Sequence, residues 1–146
     1  MVQGWIDATD TTARIPLRLE GPLGAFDLIF EIDTGFYGMV MLPFEWTDLM
    51  TSDYSTNMQG LYLADGTRRV SRVCTLNGTL LHGTQQVEVI AVATPLAAPG
   101  TPQPLQPFAV PSNRRSGKPS GLIGRQLLSA SKLEINWIDG IVRISA

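Results

Sequence analysis

The residues most able to carry chemistry lie in one short run, Asp33-Thr34-Gly35, which directly follows the apolar segment 26–32. A carboxylate at the end of a buried strand is costly unless something uses or stabilises it. Thr34 adds a hydroxyl that can bridge backbone groups, and Gly35 permits a tight turn and a close backbone approach. The run could therefore hold a carboxyl group for acid–base chemistry, although any β-turn can contain the same three residues.

A second candidate is a nucleophilic pair formed by Cys74 and His82, which flank Asn77-Gly78. A hairpin turn there would bring thiol and imidazole close together. We favour a buried structural Cys74 and a half-exposed His82. One cysteine and one histidine exclude a disulfide framework and a Cys/His zinc site. A metal site built from carboxylates alone stays open, although no acidic cluster has calcium-loop spacing. We expect no metal and no cofactor.

Length and charge narrow the remaining classes of protein. The 146 residues fit one domain, and the formal net charge of -2 lacks the basic footprint of a nucleic-acid binder. The N-terminus has neither a basic nor an apolar signal region, and no apolar stretch approaches the length of a membrane span. We expect a soluble, cytoplasmic protein that binds neither nucleic acid nor membrane.

The elements that must position Asp33 follow a period of two. Ile15, Leu17 and Leu19 alternate with polar residues, which predicts a half-buried strand paired with a more central strand over 26–32. Short helices are predicted over Phe44–Met50, with Pro43 in its first position, and over Arg125–Ala130. About nine short strands and two helices make an all-β protein, with turns expected at Asp65-Gly66, Asn77-Gly78 and Asp139-Gly140.

One segment does not fit this pattern of short strands and turns. Seven of the ten prolines lie between residues 94 and 120. A structureless stretch of this length is unusual inside a compact domain. We interpret it as a Pro-rich surface insertion in a single domain that spans residues 1–146, with Trp5, Trp46 and Trp137 as core or interface anchors.

Two motifs in this order resemble those of the retropepsin-like aspartic proteases, most closely the small bacterial members. In that family an apolar strand leads into Asp-Thr-Gly, and an apolar-apolar-Gly motif opens a helix near the C-terminus. The resemblance spans residues 13–145 outside the insertion. The residues that carry it are Phe30-Glu31-Ile32-Asp33-Thr34-Gly35-Phe36 and Leu122-Ile123-Gly124-Arg125-Gln126-Leu127-Leu128.

The resemblance implies a closed β-barrel acid-protease fold and an aspartic endopeptidase that needs no cofactor. Pepsin-like enzymes carry two such motifs in a chain of more than 300 residues, whereas this chain has one motif, so the complete site implies a homodimer with Asp33 from each subunit. Thr34 would tie the two active-site loops together, Gly35 would contact the substrate backbone, and Gly124 would let the helix pack against the loop. The substrate would be a peptide or a protein.

Three further features follow from the same resemblance. Ala64, Asp65 and Gly66 lie where the family places a flap hairpin over bound peptide. Retroviral members pair the Arg after apolar-apolar-Gly with an acidic residue, but here that position is Tyr37, so Arg125 needs another partner, such as a backbone carbonyl or Asp27. The C-terminal strand could join an intersubunit sheet or stay within its own subunit.

Two other interpretations remain open from the sequence. A dimerisation or peptide-binding module of the same fold would keep Asp33 but show little or no proteolytic activity. A small β-barrel could also contain Asp-Thr-Gly by chance, and its Asp33 side chains would then never meet across a dimer.

Overall fold

The computed structural model describes residues 1–8, 11–55, 59–62, 68–80, 83–93 and 120–146. Within these ranges the chain forms ten strands and two short helices, which confirms an all-β architecture. Neither described helix, of seven and four residues, is long enough to cross a membrane. The elements are β1 (Val2–Ile6), β2 (Ala13–Gly21), β3 (Gly24–Ile32), β4 (Val40–Pro43), α1 (Phe44–Met50), β5 (Gln59–Tyr62), β6 (Arg68–Thr79), β7 (Thr84–Val92), β8 (Gly121–Ile123), α2 (Arg125–Leu128), β9 (Lys132–Asn136) and β10 (Ile141–Ser145).

Six of the strands close into a barrel. Neighbouring strands follow the order β6, β7, β4, β8, β3, β2, and a further pairing of β2 with β6 closes the ring. The other four strands extend this sheet, β5 beyond β6 and the set β1, β10, β9 beyond β2. The closed barrel agrees with the predicted fold class at this coarse level.

The hairpin of β2 and β3 confirms the predicted alternation. Ile15, Leu17 and Leu19 are buried, and Arg18 and Glu20 between and beyond them are exposed. Strand β3 buries three consecutive residues, Leu28 to Phe30, because it lies between β2 and β8 rather than at an edge.

The predicted turn at Asn77-Gly78 is wrong. Strand β6 runs through both residues, and the chain reverses between Thr79 and Thr84, whose hydroxyls lie 3.2 Å apart. Gly78 pairs with Leu19 of β2 on one side and with Gln85 of β7 on the other. A Cβ atom at Gly78 would lie 2.6 Å from the Val87 side chain. Glycine at this position therefore allows the strands to approach closely where the barrel closes.

Both helices begin at the predicted residues. Helix α1 has the predicted bounds, although Pro43 is its N-cap rather than its first helical residue. Helix α2 ends at Leu128, two residues short of the predicted Ala130. The Ser129 hydroxyl donates to the Gln126 carbonyl at 3.0 Å, and the Ser131 N–H donates to the Leu128 carbonyl at 2.9 Å, so the helix unwinds into a turn.

The two chain termini lie side by side within the subunit. Strand β10 pairs with β1 on one side and with β9 on the other, so both of its edges are paired within this chain, and an intersubunit sheet stays a prediction. The Asp139-Gly140 turn between β9 and β10 is confirmed, with Gly140 at φ +66°. Strand β1 was missed by the sequence analysis, because Val2–Ile6 contains a glycine and no regular alternation.

Candidate active site

Residues 33–39, here called the site loop, leave β3 and return as β4 on the other side of β8. Strand β8 lies between them, parallel to β3 and antiparallel to β4. The loop therefore crosses the end of β8 where the chain enters α2. Amides from this junction satisfy loop carbonyls: Gly124 N–H donates to Met39 O and Arg125 N–H to Phe36 O, both at 2.9 Å. The site loop is thus held by backbone hydrogen bonds on its inner side.

Asp33 occupies the first position of this loop and is half-buried. Its N–H donates to the Ile123 carbonyl at 3.0 Å, and its own carbonyl accepts from Phe36 N–H at 3.1 Å, which closes a turn around Thr34 and Gly35. The carboxylate Oδ1 accepts the Gly35 N–H at 2.9 Å. Within the described residues Oδ2 has no hydrogen-bond partner, so only one of the two carboxylate oxygens is held by a hydrogen bond.

The two site glycines are needed for different reasons. A Cβ atom at Gly35 would lie 3.1 Å from Asp33 Oδ1, so any side chain would crowd the carboxylate. A Cβ atom at Gly124 would collide with the Gly38 carbonyl and lie 2.6 Å from Phe36 atoms. Gly124 is buried directly beneath the site loop, whereas Thr34 and Gly35 are exposed. The intersubunit contact expected of Thr34 stays a prediction.

Arg125 finds neither partner suggested by the sequence. Asp27 pairs instead with Arg18 at 3.6 Å, and the Arg125 guanidinium makes no side-chain hydrogen bond to any described residue. Its Cζ atom lies 5.5 Å from the centroid of the Tyr37 ring, within range of a cation–π contact. Arg125 and Tyr37 therefore meet through an aromatic ring, at the rim of an open cavity of about 230 Å³ that Gln126 and Ser129 also line.

Some predicted residues lie outside the described residues. These are the flap residues Ala64, Asp65 and Gly66, the histidine His82, and insertion residues 94–119. The arms of the expected flap hairpin are described: β5 and β6 pair antiparallel from Gln59↔Ser71 to Tyr62↔Arg68. Cys74 is fully buried, and this burial raises the pKa of its thiol to about 11, which disfavours the nucleophilic thiolate.

A buried ion pair lies near the site and was not predicted from the sequence. Arg14 Nη1 lies 3.1 Å from Asp7 Oδ2, and the two side chains are 4% and 8% exposed. Arg14 lies in β2 beside Glu31 of β3, two residues before Asp33. The available signal was Arg14, a charged residue next to the alternating apolar residues of β2. Its partner Asp7 follows β1, a strand that the sequence did not predict.

The comparisons add no assignment to this geometry. A scan against protein-family models and searches of curated proteins and solved structures found no match. No group of three or more His, Cys, Asp and Glu side chains gathers in a metal-binding arrangement within the described part of the chain.

Proposed function

We propose that this chain is one subunit of a homodimeric aspartic endopeptidase, in which Asp33 from each subunit forms the catalytic pair. The observation that carries the proposal is the state of Asp33: a carboxylate oriented by Gly35 N–H, in a loop with exposed Thr34 and Gly35. The chain has a single Asp-Thr-Gly run, so a pair requires a second copy.

The chemistry follows from two carboxyl groups about 3 Å apart, which cannot both ionise and therefore share one proton. The ionised carboxylate accepts a proton from a water molecule, whose oxygen attacks the scissile carbonyl carbon. The protonated carboxyl donates its proton to the carbonyl oxygen, which gives a neutral tetrahedral diol. Proton transfer to the amide nitrogen and cleavage of the C–N bond then release an acid and an amine. The pair titrates as a unit rather than as two separate residues.

The site loop supports this role through its rigidity. The Asp33 backbone N–H donates to the Ile123 carbonyl of β8, and the Asp33 carboxylate accepts the Gly35 N–H within the loop. A catalytic group gains most when its position is set before substrate binds, because little reorganisation is then needed during the reaction.

The first experiment is Asp33→Asn, assayed by digestion of a broad peptide library with mass-spectrometric mapping of the products. The amide can neither accept the proton of the water nor share one with its partner. We expect cleavage to fall by roughly 10²–10⁴-fold, the usual contribution of acid–base catalysis. Statine-type inhibitors should block the wild-type protein.

The matched control is Asp27→Asn, which neutralises another carboxylate of the same hairpin, in an exposed ion pair with Arg18. It should cut at the wild-type rate. Retained cleavage by Asp33→Asn would refute the proposal. Wild-type protein that dimerises and binds peptides but never cuts them would favour the binding module instead.

A further inference from the structure

The turn between β9 and β10, residues 137–140, presents two large apolar side chains to solvent. Ile138 is 96% exposed and Trp137 is 59% exposed. Single exposed hydrophobic residues are common on protein surfaces, but two adjacent ones in one turn form a patch.

The turn that carries these side chains is ordered. The Asn136 carboxamide oxygen accepts the N–H groups of Ile138 and Asp139, both at 3.1 Å, and its Nδ2 donates to Asp139 Oδ2 at 2.8 Å. Gly140 at φ +66° completes the reversal in a conformation that other residues rarely adopt. Trp137 and Ile138 are therefore held outward by a fixed backbone, which lowers the entropy cost of burying them against a partner.

The strand registers place this turn at the same end of the sheet as Asp33. One row of cross-strand partners runs from β3 to β9. Trp137 directly follows the residue at its β9 end, and Asp33 lies two residues after the residue at its β3 end. Four strand spacings of about 4.8 Å separate β3 from β9, so about 19 Å of sheet lies between the two ends of the row. The row is Glu31, Arg14, Trp5, Ile141 and Asn136.

We infer that the Trp137-Ile138 turn is part of the surface on which a second copy of this chain docks to complete the Asp33 site. The inference rests on the proposed homodimer, in which the end of the sheet that carries Asp33 must face the partner. Exposed aromatic and aliphatic side chains on a rigid turn are the type of group that anchors such an interface. In a two-fold dimer each subunit contributes the turn once, so a change there acts twice.

The test compares sedimentation equilibrium of the full chain with that of the double variant Trp137→Ser/Ile138→Ser. We expect the dimer dissociation constant to rise by roughly 100-fold, because anchors are lost from both subunits. The matched control is Leu23→Ser: Leu23 is 60% exposed, like Trp137, but lies in the β2–β3 turn at the opposite end of the sheet. It should leave the constant within about threefold of the wild-type value.

A conservative variant provides an independent readout. Trp46 is buried and Trp137 is exposed, so dilution of a wild-type dimer should shift the tryptophan emission to longer wavelength as Trp137 meets water. Trp137→Phe keeps an apolar ring and should still dimerise, but without this shift.

The outcomes separate this inference from the proposed function. An unchanged dissociation constant for the double variant, or an equal rise for Leu23→Ser, overturns the interface while the Asp33→Asn assay still decides catalysis. A dimer that needs the turn but cuts no peptide keeps the interface and refutes the endopeptidase. A wild-type chain that stays monomeric at every accessible concentration overturns the interface.

Discussion

The sheet has one end that carries Asp33 and an opposite end, here called the far end, and the two differ in how other parts of the chain contact them. At the far end, α1 lies against the turn between β2 and β3: Leu23 N–H donates to the Met50 carbonyl at 2.9 Å, and Gly21 leaves no room for a side chain beside the same carbonyl. At the Asp33 end, the loop and the β9–β10 turn are equally well ordered, yet Thr34, Gly35 and the patch at 137–138 stay uncovered.

A group can be held in place by hydrogen bonds without being covered by other parts of the chain. At the far end, α1 pairs with the backbone of the β2–β3 turn, although the Leu23 side chain is 60% exposed. At the Asp33 end, hydrogen bonds hold the loop and the β9–β10 turn in place, and Thr34, Gly35, Trp137 and Ile138 are exposed. Three comparisons, with five substitutions in all, test where the internal stability of each end comes from.

The largest effect is expected at the buried ion pair of the Asp33 end. Asp7→Asn removes the carboxylate that lies 3.1 Å from the buried Arg14 guanidinium, and we expect the free energy of unfolding to fall by roughly 3–5 kcal/mol. Urea unfolding at a fixed protein concentration measures this loss. Asp27→Asn, which breaks an exposed pair 3.6 Å long, should cost at most about 1 kcal/mol. Equal losses in the two variants would mean that the Asp33 end has no special internal anchor.

A smaller, pH-dependent effect is expected beside α1. The Tyr54 hydroxyl donates to the Asp48 carboxylate and lies 2.9 Å from the Thr47 hydroxyl. Burial, reinforced by the bond to Asp48, raises the pKa of Tyr54 to about 12 from 10.0. The unfolded chain therefore releases this proton first, so the stability from Tyr54 is complete below pH 10 and is lost as pH rises through about 12.

Tyr54→Phe removes both the hydrogen bond and the titration. At pH 7 we expect a loss of about 1–2 kcal/mol in the free energy of unfolding. Between pH 10 and 12 the wild-type stability should fall more steeply than that of the variant. Cys74, whose pKa is also raised, titrates in both proteins, so the difference between the two curves isolates Tyr54. Parallel curves would contradict the assigned role.

The smallest effect is expected where Arg125 stacks on Tyr37. Arg125→Gln should lower the free energy of unfolding by about 0.5–1 kcal/mol, the usual size of an exposed cation–π contact. Tyr37→Phe retains an aromatic ring and should change stability less than that. Thermal unfolding of the two variants side by side gives the comparison, and a larger loss in Tyr37→Phe would assign the contact to the hydroxyl instead of the ring.

The local patterns predicted much of the fold. The alternation in β2, the central position of β3 and the bounds of α1 follow from burial periodicity and from proline at a helix start, which act over a few residues. The turn at Asn77-Gly78 was wrong because a contact distant in sequence, with Leu19 and Val87, decides what that glycine does. A short stretch of sequence does not show which strands pair to close the barrel.

The candidate site shows the same difference between local patterns and contacts that are distant in sequence. Asp33, Thr34 and Gly35 were found because their types and order are local. The partner of Arg125, the pairing of Arg14 with Asp7 and the common end shared by Asp33 and Trp137 all depend on strand registers. Side-chain pairing across strands is fixed by topology, and an isolated sequence does not reveal it.

The position of β10 has a consequence for how activity would respond to the amount of protein. Both sides of β10 are already paired with strands of its own chain. In the proposed dimer, β10 would therefore offer no free edge to a strand of the second copy. Below its dissociation constant such a dimer grows with the square of the subunit concentration, so a twofold rise in expression would raise the rate of cleavage about fourfold. Local abundance would then act as the switch.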